Sequence, residues 1–216
     1  MSKASEKEDY VSGTGEVGIV SEKTYFHDEP FIMENGSLEK FQLRYETYGK
    51  LNASGTNAIL ICHALTGDHH VAGVYSEDDR QPGWWNHVVG PEKAIDTNDF
   101  FVVCSNCLGA CKGSTGPASE NPATPGKAYG MLFPDLTIKD MVRAQKSLLD
   151  FLGVISLHSV VGGSMGGMQA LQWIVEFPIF VKKALIIAAT ARHNAQTIAF
   201  NEVGRRSICG DKDWKS

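Results

Sequence analysis

The feature that most constrains this chain is a glycine-rich turn between a short apolar run and a stretch of helix-forming residues. It reads GGSMGGMQALQW over residues 162–173, and Gly162 and Gly166 flank Ser164 in a G-x-S-x-G spacing. Flanking glycines allow a sharp, strained turn, and a helix that follows offers unpaired N–H groups and a positive dipole end. Because both would stabilise an oxyanion beside the hydroxyl, the pattern predicts that Ser164 is a nucleophile.

The same turn is also compatible with a phosphate-binding loop or with a tight turn of no chemical role. No Gly-Lys-Ser/Thr follows, which disfavours phosphate, and Gly163 and Gly167 are expected to let helix and strand approach closely. A nucleophilic serine also needs a base and a second oxyanion donor. In this arrangement the donor comes from the loop after an earlier strand, and HALTGDHHVAG is the candidate loop, with the backbone N–H of Leu65 joining that of Met165.

Short apolar runs alternate with helical patterns along most of the chain. A helix is predicted after Thr137, its expected cap, and Gly153 is expected to end it. A second helix is predicted at residues 165–177, and a short helical turn is predicted within residues 83–90. Strands are predicted at residues 41–49, 57–65, 99–106, 157–163 and 181–190. This order predicts the α/β class, with a mostly parallel sheet, helices on both faces and ligands at the C-terminal edge of the strands.

Charge and composition exclude several classes of function. The formal net charge of −5 and the lack of a basic stripe argue against a nucleic-acid partner. The sequence contains no run of about 18 apolar residues, so no membrane span is expected. The polar N-terminus lacks an apolar signal core, so we expect a cytoplasmic protein whose residues 1–18 form a flexible tail.

The cysteines and histidines do not predict a metal site. Five cysteines without a signal peptide indicate reduced thiols, and the C-x2-C-x3-C spacing of Cys104, Cys107 and Cys111 has no fourth cysteine nearby. The histidines of HALTGDHHVAG are interpreted as polar loop residues near a pocket, because no cysteine or acidic partner stands at a ligand spacing. They are His63, His69 and His70.

Five segments, in order, resemble homoserine O-acetyltransferases: HALTGD, LGACKGSTGP, TIKDMVRAQKSLLDFLG, GGSMGGMQALQW and AQTIAFNEVGRRSI. The resemblance implies the α/β-hydrolase fold, with a helical lid inserted after the sixth strand. It also implies transfer of acetyl from acetyl-CoA, a co-substrate rather than a bound cofactor, to the side-chain hydroxyl of L-homoserine, on the way to methionine. Ser164 would then be the acylated nucleophile, Leu65 and Met165 would form the oxyanion hole, and the full-length family would be homodimeric.

The resemblance covers only the N-terminal part of that family's pattern. Residues 19–190 would form an incomplete hydrolase core and residues 191–216 the start of the lid, so the acid and histidine of the triad are expected beyond Ser216. We therefore expect an inactive fragment. His193, the only histidine after Ser164, is interpreted as a polar residue of the lid entry. Exposed charges without a catalytic role are expected at Arg205, Arg206, Asp211 and Asp213.

Three alternatives stay open from the sequence alone. A serine hydrolase or esterase would use the same turn with water as the acceptor. A succinyl donor in place of acetyl, or serine in place of homoserine, depends on pocket shape, which motifs do not fix. A truncated, non-catalytic subunit could instead pair with a partner chain.

Overall fold

A six-stranded sheet runs through the structure, a computed structural model that describes residues 15–214. In chain order the strands are β1 (Lys23–His27), β2 (Phe31–Met33), β3 (Gly36–Leu38), β4 (Phe41–Tyr48), β5 (Ala58–Cys62), β6 (Val89–Gly90), β7 (Ile95–Asp96), β8 (Phe101–Ser105), β9 (Leu157–Gly163) and β10 (Ala184–Ile187). The helices are α1 (Ile138–Phe151), α2 (Met165–Glu176) and α3 (Ala195–Cys209), and a single 3-10 turn lies at Gly130–Leu132.

The sheet has the strand order β1-β4-β8-β5-β9-β10. Strand β4 is antiparallel to β1 and β8, whereas β8, β5, β9 and β10 run parallel. Two short ladders, β2 with β3 and β6 with β7, lie outside this sheet. The α/β class and the mostly parallel sheet predicted from the sequence are confirmed.

The central strands are buried because their side chains alternate between two apolar cores. On one face Leu60 and Cys62 of β5 pack with Leu148 of α1 and Trp173 of α2. On the other face Ile61 packs with residues of the irregular segment 71–95. Both α1 and α2 therefore cover the same face, and the opposite face is covered without a regular helix, in a segment interrupted by glycine and proline.

Helix α1 begins where the sequence predicts. The Thr137 hydroxyl accepts from the Asp140 N–H at 3.2 Å, and the Asp140 carboxylate accepts from the Thr137 N–H at 3.0 Å, which forms a capping box. After the helix, Gly153 adopts a φ of 77° that favours glycine. Residues 83–90 contain the expected turn, closed by the Val88 N–H donating to the Trp85 carbonyl at 2.8 Å.

At the N-terminal end, residue 16 of the expected tail at residues 1–18 makes contacts with the rest of the chain. Residues 1–14 of the expected tail lie outside the described residues, but Glu16 accepts from Asn86 at 2.7 Å and lies 3.0 Å from the Lys93 ammonium. Ordered packing on the core thus begins before residue 19, because a partly buried ion pair holds Glu16. At the other end, α3 buries none of its side chains. Among residues 15–214, no helix is both long and apolar enough to cross a bilayer.

Candidate functional site

The turn at Ser164 is strained and exposed. Ser164 has φ 55° and ψ −121°, a conformation that L-residues rarely adopt. It lies between β9 and α2, and its hydroxyl does not cap the helix. The Ser164 N–H donates to the Ile187 carbonyl of β10 at 3.0 Å, which ties the turn to the next strand. The hydroxyl is therefore held outside the packed core, at the C-terminal end of a central strand.

Three of the four glycines around Ser164 are required by close contacts, two of them with backbone atoms. A Cβ at Gly162 would lie 2.1 Å from the Gly166 carbonyl oxygen, and a Cβ at Gly166 would lie 2.0 Å from that of Cys62. At Gly167 the nearest atom would be the Ala189 Cβ at 2.5 Å. Gly163 differs from the expectation, because a Cβ there would meet nothing closer than 3.9 Å.

The loop after β5 and the start of α2 line one cavity of about 320 Å³. Leu65 and Met165, the predicted oxyanion donors, are both part of its wall. Within the described residues the Leu65 N–H makes no hydrogen bond. Met165 is the first residue of α2, so its N–H has no intrahelical acceptor. Leu65 and Met165 thus line the same cavity and their backbone N–H groups have no acceptor within the described residues, although Ser164 itself is not among the lining residues.

The cavity wall is mainly apolar side chains and backbone. Besides Leu65 and Met165 it comprises His63, Thr66, Gly67, residues 107–112, Leu136 and Met141. Lys112 is the one charged side chain among these residues, and its ammonium lies 3.9 Å from an Asp68 carboxylate oxygen. Such a wall suits an acyl group, with a cation at the side for an anionic neighbour.

His63 is a buried link between the two loops at this edge. Its side chain is almost fully buried, its Nε2 accepts from the Cys107 N–H at 2.9 Å, and its Nδ1 lies 2.7 Å from the Ala64 carbonyl oxygen. Burial lowers the pKa of His63, partly offset by the hydrogen bond to Ala64. His63 is thus a loop histidine beside a pocket, as interpreted from the sequence.

A buried chain of amides connects the helices to the same loop. The Trp173 indole N–H donates to the side-chain oxygen of Gln145 at 2.8 Å, and the side-chain amide of Gln145 donates to the side-chain oxygen of Gln169 at 2.7 Å. Gln169 in turn donates to the His63 carbonyl at 3.4 Å. Neither Gln145 nor Gln169 was predicted from the sequence; the available signal was a glutamine on the apolar stripe of each helix, where a buried amide requires a partner.

Glu46 on β4 is a second buried polar centre that the sequence analysis missed. It is fully buried, and it accepts from the Tyr75 hydroxyl at 2.7 Å and from Tyr48. The His70 Nδ1 lies 3.2 Å from both carboxylate oxygens, and the His70 ring stacks on Tyr75. These contacts anchor residues 70–75, which continue the loop that carries Leu65.

His69, the third histidine of the motif, lies near the carboxylates of Glu46 and Glu22. Its Nε2 lies 3.4 Å from a Glu22 oxygen and 3.9 Å from a Glu46 oxygen, without hydrogen-bond geometry. Burial lowers the pKa of His69, and the neighbouring carboxylates oppose that shift. Among residues 15–214, no group of three His, Cys, Asp or Glu is arranged to hold a metal ion.

The three cysteines of the C-x2-C-x3-C spacing are not equivalent. Cys104 and Cys107 are buried and Cys111 is exposed, and all are free thiols. Burial raises the pKa of the Cys107 thiol to about 12, partly offset by its hydrogen bond with Gln169. A thiol of this kind is inert near neutral pH, as expected for a buried structural cysteine.

The residues predicted to have no catalytic role lie away from the cavity with Leu65. His193 lines a separate cavity of about 360 Å³ together with residues of α2 such as Met168. Glu202 forms ion pairs with Arg205 and Arg206 on α3. Exposed positions at the end of the described chain hold Asp211 and Asp213.

Comparison with known proteins places this geometry in a family. A family model for the alpha/beta hydrolase fold matches residues 57–207. The homoserine O-acetyltransferase of Methanococcoides burtonii is 56% identical over 199 residues, which are 92% of this chain and 41% of that protein. The homoserine O-succinyltransferase of Halothiobacillus neapolitanus is 54% identical over 215 residues, 99% of this chain and 53% of that protein. These relatives confirm the resemblance, and the chain spans about half of their length or less.

Solved structures show the same backbone arrangement. Esterase E22 superposes with a TM-score of 0.84 at 38% identity, over 91% of this chain and 55% of that one. A homoserine O-acetyltransferase from Bacillus anthracis superposes with a TM-score of 0.81 at 38% identity, over 88% of this chain and 52% of that one. A transferase and a hydrolase therefore share this half of the fold.

Proposed function

Because the chain belongs to the α/β-hydrolase fold family, we propose that it carries the nucleophile part of an acyltransferase that moves acetyl from acetyl-CoA to the hydroxyl of L-homoserine. The observation that carries the proposal is the strained, exposed Ser164, directly followed by Met165, which lines the same cavity as Leu65. The homoserine acyltransferase names of relatives above 50% identity support the substrate class. We also propose that the full-length protein is a cytoplasmic homodimer that needs no resident cofactor.

The geometry around Ser164 supports the first half-reaction that we propose. The Ser164 hydroxyl oxygen attacks the thioester carbonyl carbon, the carbon–sulfur bond breaks, and the CoA thiol leaves with the serine proton. The oxyanion of the tetrahedral intermediate accepts from the N–H groups of Leu65 and Met165. Amide donors already fixed in place stabilise that charge without reorganisation, and one such donor contributes about 3 kcal/mol.

Both half-reactions need a base that deprotonates the attacking hydroxyl, and the Ser164 hydroxyl has no histidine or acidic hydrogen-bond partner among residues 15–214. His193 lines a different cavity from Leu65 and Met165. We therefore assign the triad acid and histidine to the part of the relatives that this chain does not match. In the whole protein the histidine would deprotonate the Ser164 hydroxyl in the first half-reaction and the homoserine hydroxyl in the second. The homoserine oxygen then attacks the acyl-Ser164 ester, and the serine leaves with the proton that the histidine returns. The 216-residue chain alone is expected to acylate slowly and not to turn over.

Two questions of specificity are left to the rest of the pocket. Relatives at nearly equal identity carry acetyltransferase and succinyltransferase names, so the region shared with them does not separate the two donors. A second candidate function is ester hydrolysis, with water as the acceptor. The similarity to esterase E22 favours it, because the same fold half occurs in a hydrolase.

Mass spectrometry of the intact chain incubated with acetyl-CoA tests the proposal. We expect a gain of about 42 Da, one acetyl replacing one hydrogen, located at Ser164 by peptide mapping. The gain should vanish in Ser164→Ala and persist in Ser76→Ala, which removes an exposed serine outside the cavity. An unmodified Ser164, or multiple turnovers by this chain, would refute the respective part of the proposal.

The acceptor is tested by transferring the acyl group from the modified chain. The acylated chain is mixed with the missing part of a relative and with L-homoserine. Transfer to homoserine supports the acyltransferase, and release of free acetate at the same rate with and without homoserine supports the esterase. Repeating the labelling with succinyl-CoA, expected to add about 100 Da, compares the two donors.

A further inference from the structure

We propose that His63 is a positioning residue that sets the direction of the Leu65 N–H, and so completes the oxyanion hole. The inference rests on the proposed function, since it concerns the donor that the acyl transfer requires. His63 does not face the reacting atoms in this scheme. It acts on the peptide between Ala64 and Leu65 through one ring nitrogen, and it holds its own ring in place through the other.

The contacts of the ring fix its tautomer. Nε2 accepts from the Cys107 N–H at 2.9 Å, and a backbone N–H can only donate. Nε2 therefore carries no proton, and in the neutral ring the proton is on Nδ1. Nδ1–H then donates to the Ala64 carbonyl oxygen at 2.7 Å. Burial favours the neutral ring, and a proton added at Nε2 would face the Cys107 N–H.

Holding the Ala64 carbonyl also orients the Leu65 N–H. The same carbonyl oxygen accepts a second hydrogen bond from the Gly67 N–H at 3.0 Å. The peptide is planar and trans, so the Ala64 C=O and the Leu65 N–H point in opposite directions. Two donors on the carbonyl side of this peptide therefore fix the opposite direction of the Leu65 N–H, in a loop where Leu65 and Met165 line one cavity.

His63 also joins the segments that must keep their relative positions. Its ring reaches the loop after β8 through Cys107, and its carbonyl accepts from Gln169 of α2 at 3.4 Å. The Gly166 backbone of the same helix lies against the Cys62 and His63 carbonyls. The distance between the two oxyanion donors therefore depends on one buried residue that bonds to both sides.

Two substitutions separate positioning from stability. His63→Asn places an amide nitrogen near Nδ1, which keeps the donor to Ala64 and loses the acceptor for Cys107. His63→Gln places an amide oxygen near Nε2, which keeps the acceptor and loses the donor. Each removes one hydrogen bond, so a purely structural role would reduce the acylation rate and the stability of both variants to a similar extent.

The positioning role predicts unequal acylation of Ser164. The maximal rate should fall about tenfold or more in His63→Gln and only about threefold or less in His63→Asn, as expected for a misdirected donor. The half-saturating concentration of acetyl-CoA should stay unchanged in both, because both ring nitrogens bond to backbone groups of this chain. Equal losses in the two variants, or a larger loss in His63→Asn, would overturn the proposal.

A second measurement distinguishes this inference from the proposed function. Nitrogen-15 NMR of the chain labelled at histidine should show His63 with its proton on Nδ1 at neutral pH, and an Nε2-protonated or cationic ring would refute the positioning role. If acetyl-CoA fails to acylate wild-type Ser164, the donor assignment fails. The comparison of the two variants is then made with p-nitrophenyl acetate, an activated ester that does not require recognition of CoA.

Discussion

Strands β5 and β10 both pair in parallel with β9, one on each side, yet their surroundings differ. All five residues of AILIC in β5 are buried, whereas in ALII of β10 three are exposed and one is half-buried. Leu60 has no exposed surface, and Leu185 retains 55%. Similar apolar runs thus occupy a packed and an unpacked position, with the Ser164 turn at the end of the strand between them.

The difference shows which side of the Ser164 turn is packed and which is exposed. On the β5 side, cores on both faces and the bonds of His63, Gln169 and Glu46 fix the loop that carries Leu65. On the β10 side, Leu185, Ile187 and the apolar residues of α3 are exposed. The loop that carries Leu65 is therefore held in place by contacts within this chain, and we propose that the remaining cover comes from segments of the kind that the longer relatives possess.

The largest effect is expected from a methyl group at the contact between the turn and β5. Gly166→Ala would place a Cβ 2.0 Å from the Cys62 carbonyl oxygen, so helix and strand must separate. We expect a loss of about 4 kcal/mol in the free energy of unfolding and no acylation of Ser164. Gly163→Ala is the matched control, because its nearest contact is 3.9 Å away, and it should change stability by less than about 1 kcal/mol. Urea unfolding of both variants decides; equal effects would mean that the turn is not packed as described.

The two strands themselves give the next comparison. Leu60→Ala in β5 should lower the free energy of unfolding by about 3 kcal/mol, because it leaves a cavity in a closed core. Leu185→Ala in β10 removes the same atoms from an exposed position and should cost less than about 1 kcal/mol. Chemical denaturation of the 216-residue chain measures both. A similar cost at Leu185 would show that β10 is buried in solution, for example by self-association.

The smallest expected effect is a decrease in the free energy of unfolding at acidic pH, caused by the buried histidines on the β5 side. The folded-state pKa values of His63 and His69 lie below the ordinary 6.5, chiefly through burial. As the pH falls through 6.5, the unfolded chain therefore binds protons that the folded chain does not, and the free energy of unfolding decreases. Each histidine adds at most about 1.4 kcal/mol per pH unit to this slope. His63→Asn should flatten the slope between pH 7 and 5, and an unchanged slope would show that His63 titrates alike in both states.

The Ser164 turn could be predicted from the sequence because local rules determine it, whereas contacts between distant residues could not be predicted. Ser164 between glycines and Thr137 three residues before Asp140 follow from sterics and capping within a few positions. Several partners of Glu46 and His63 lie instead more than twenty positions away, such as Tyr75 and Cys107. A polar residue in an apolar pattern signals that a partner exists, but only the fold identifies it.

The apolar runs also could not separate β5 from β10. Periodicity reports how a segment pairs and which residues would be buried in a closed structure, but not whether a covering element is present. The absence of a regular helix over residues 71–95 was equally hidden. The fold class therefore followed from the order of elements, whereas the degree of cover on each face did not.

The most direct test of the account is a crystal structure of the chain after Ser164 has reacted with a phosphonofluoridate, whose adduct mimics the tetrahedral intermediate. The account predicts phosphorus bonded to the Ser164 Oγ, with one phosphonyl oxygen about 3 Å from the amide nitrogens of both Leu65 and Met165. An adduct on another residue, or an oxygen turned away from the Leu65 N–H, would contradict it.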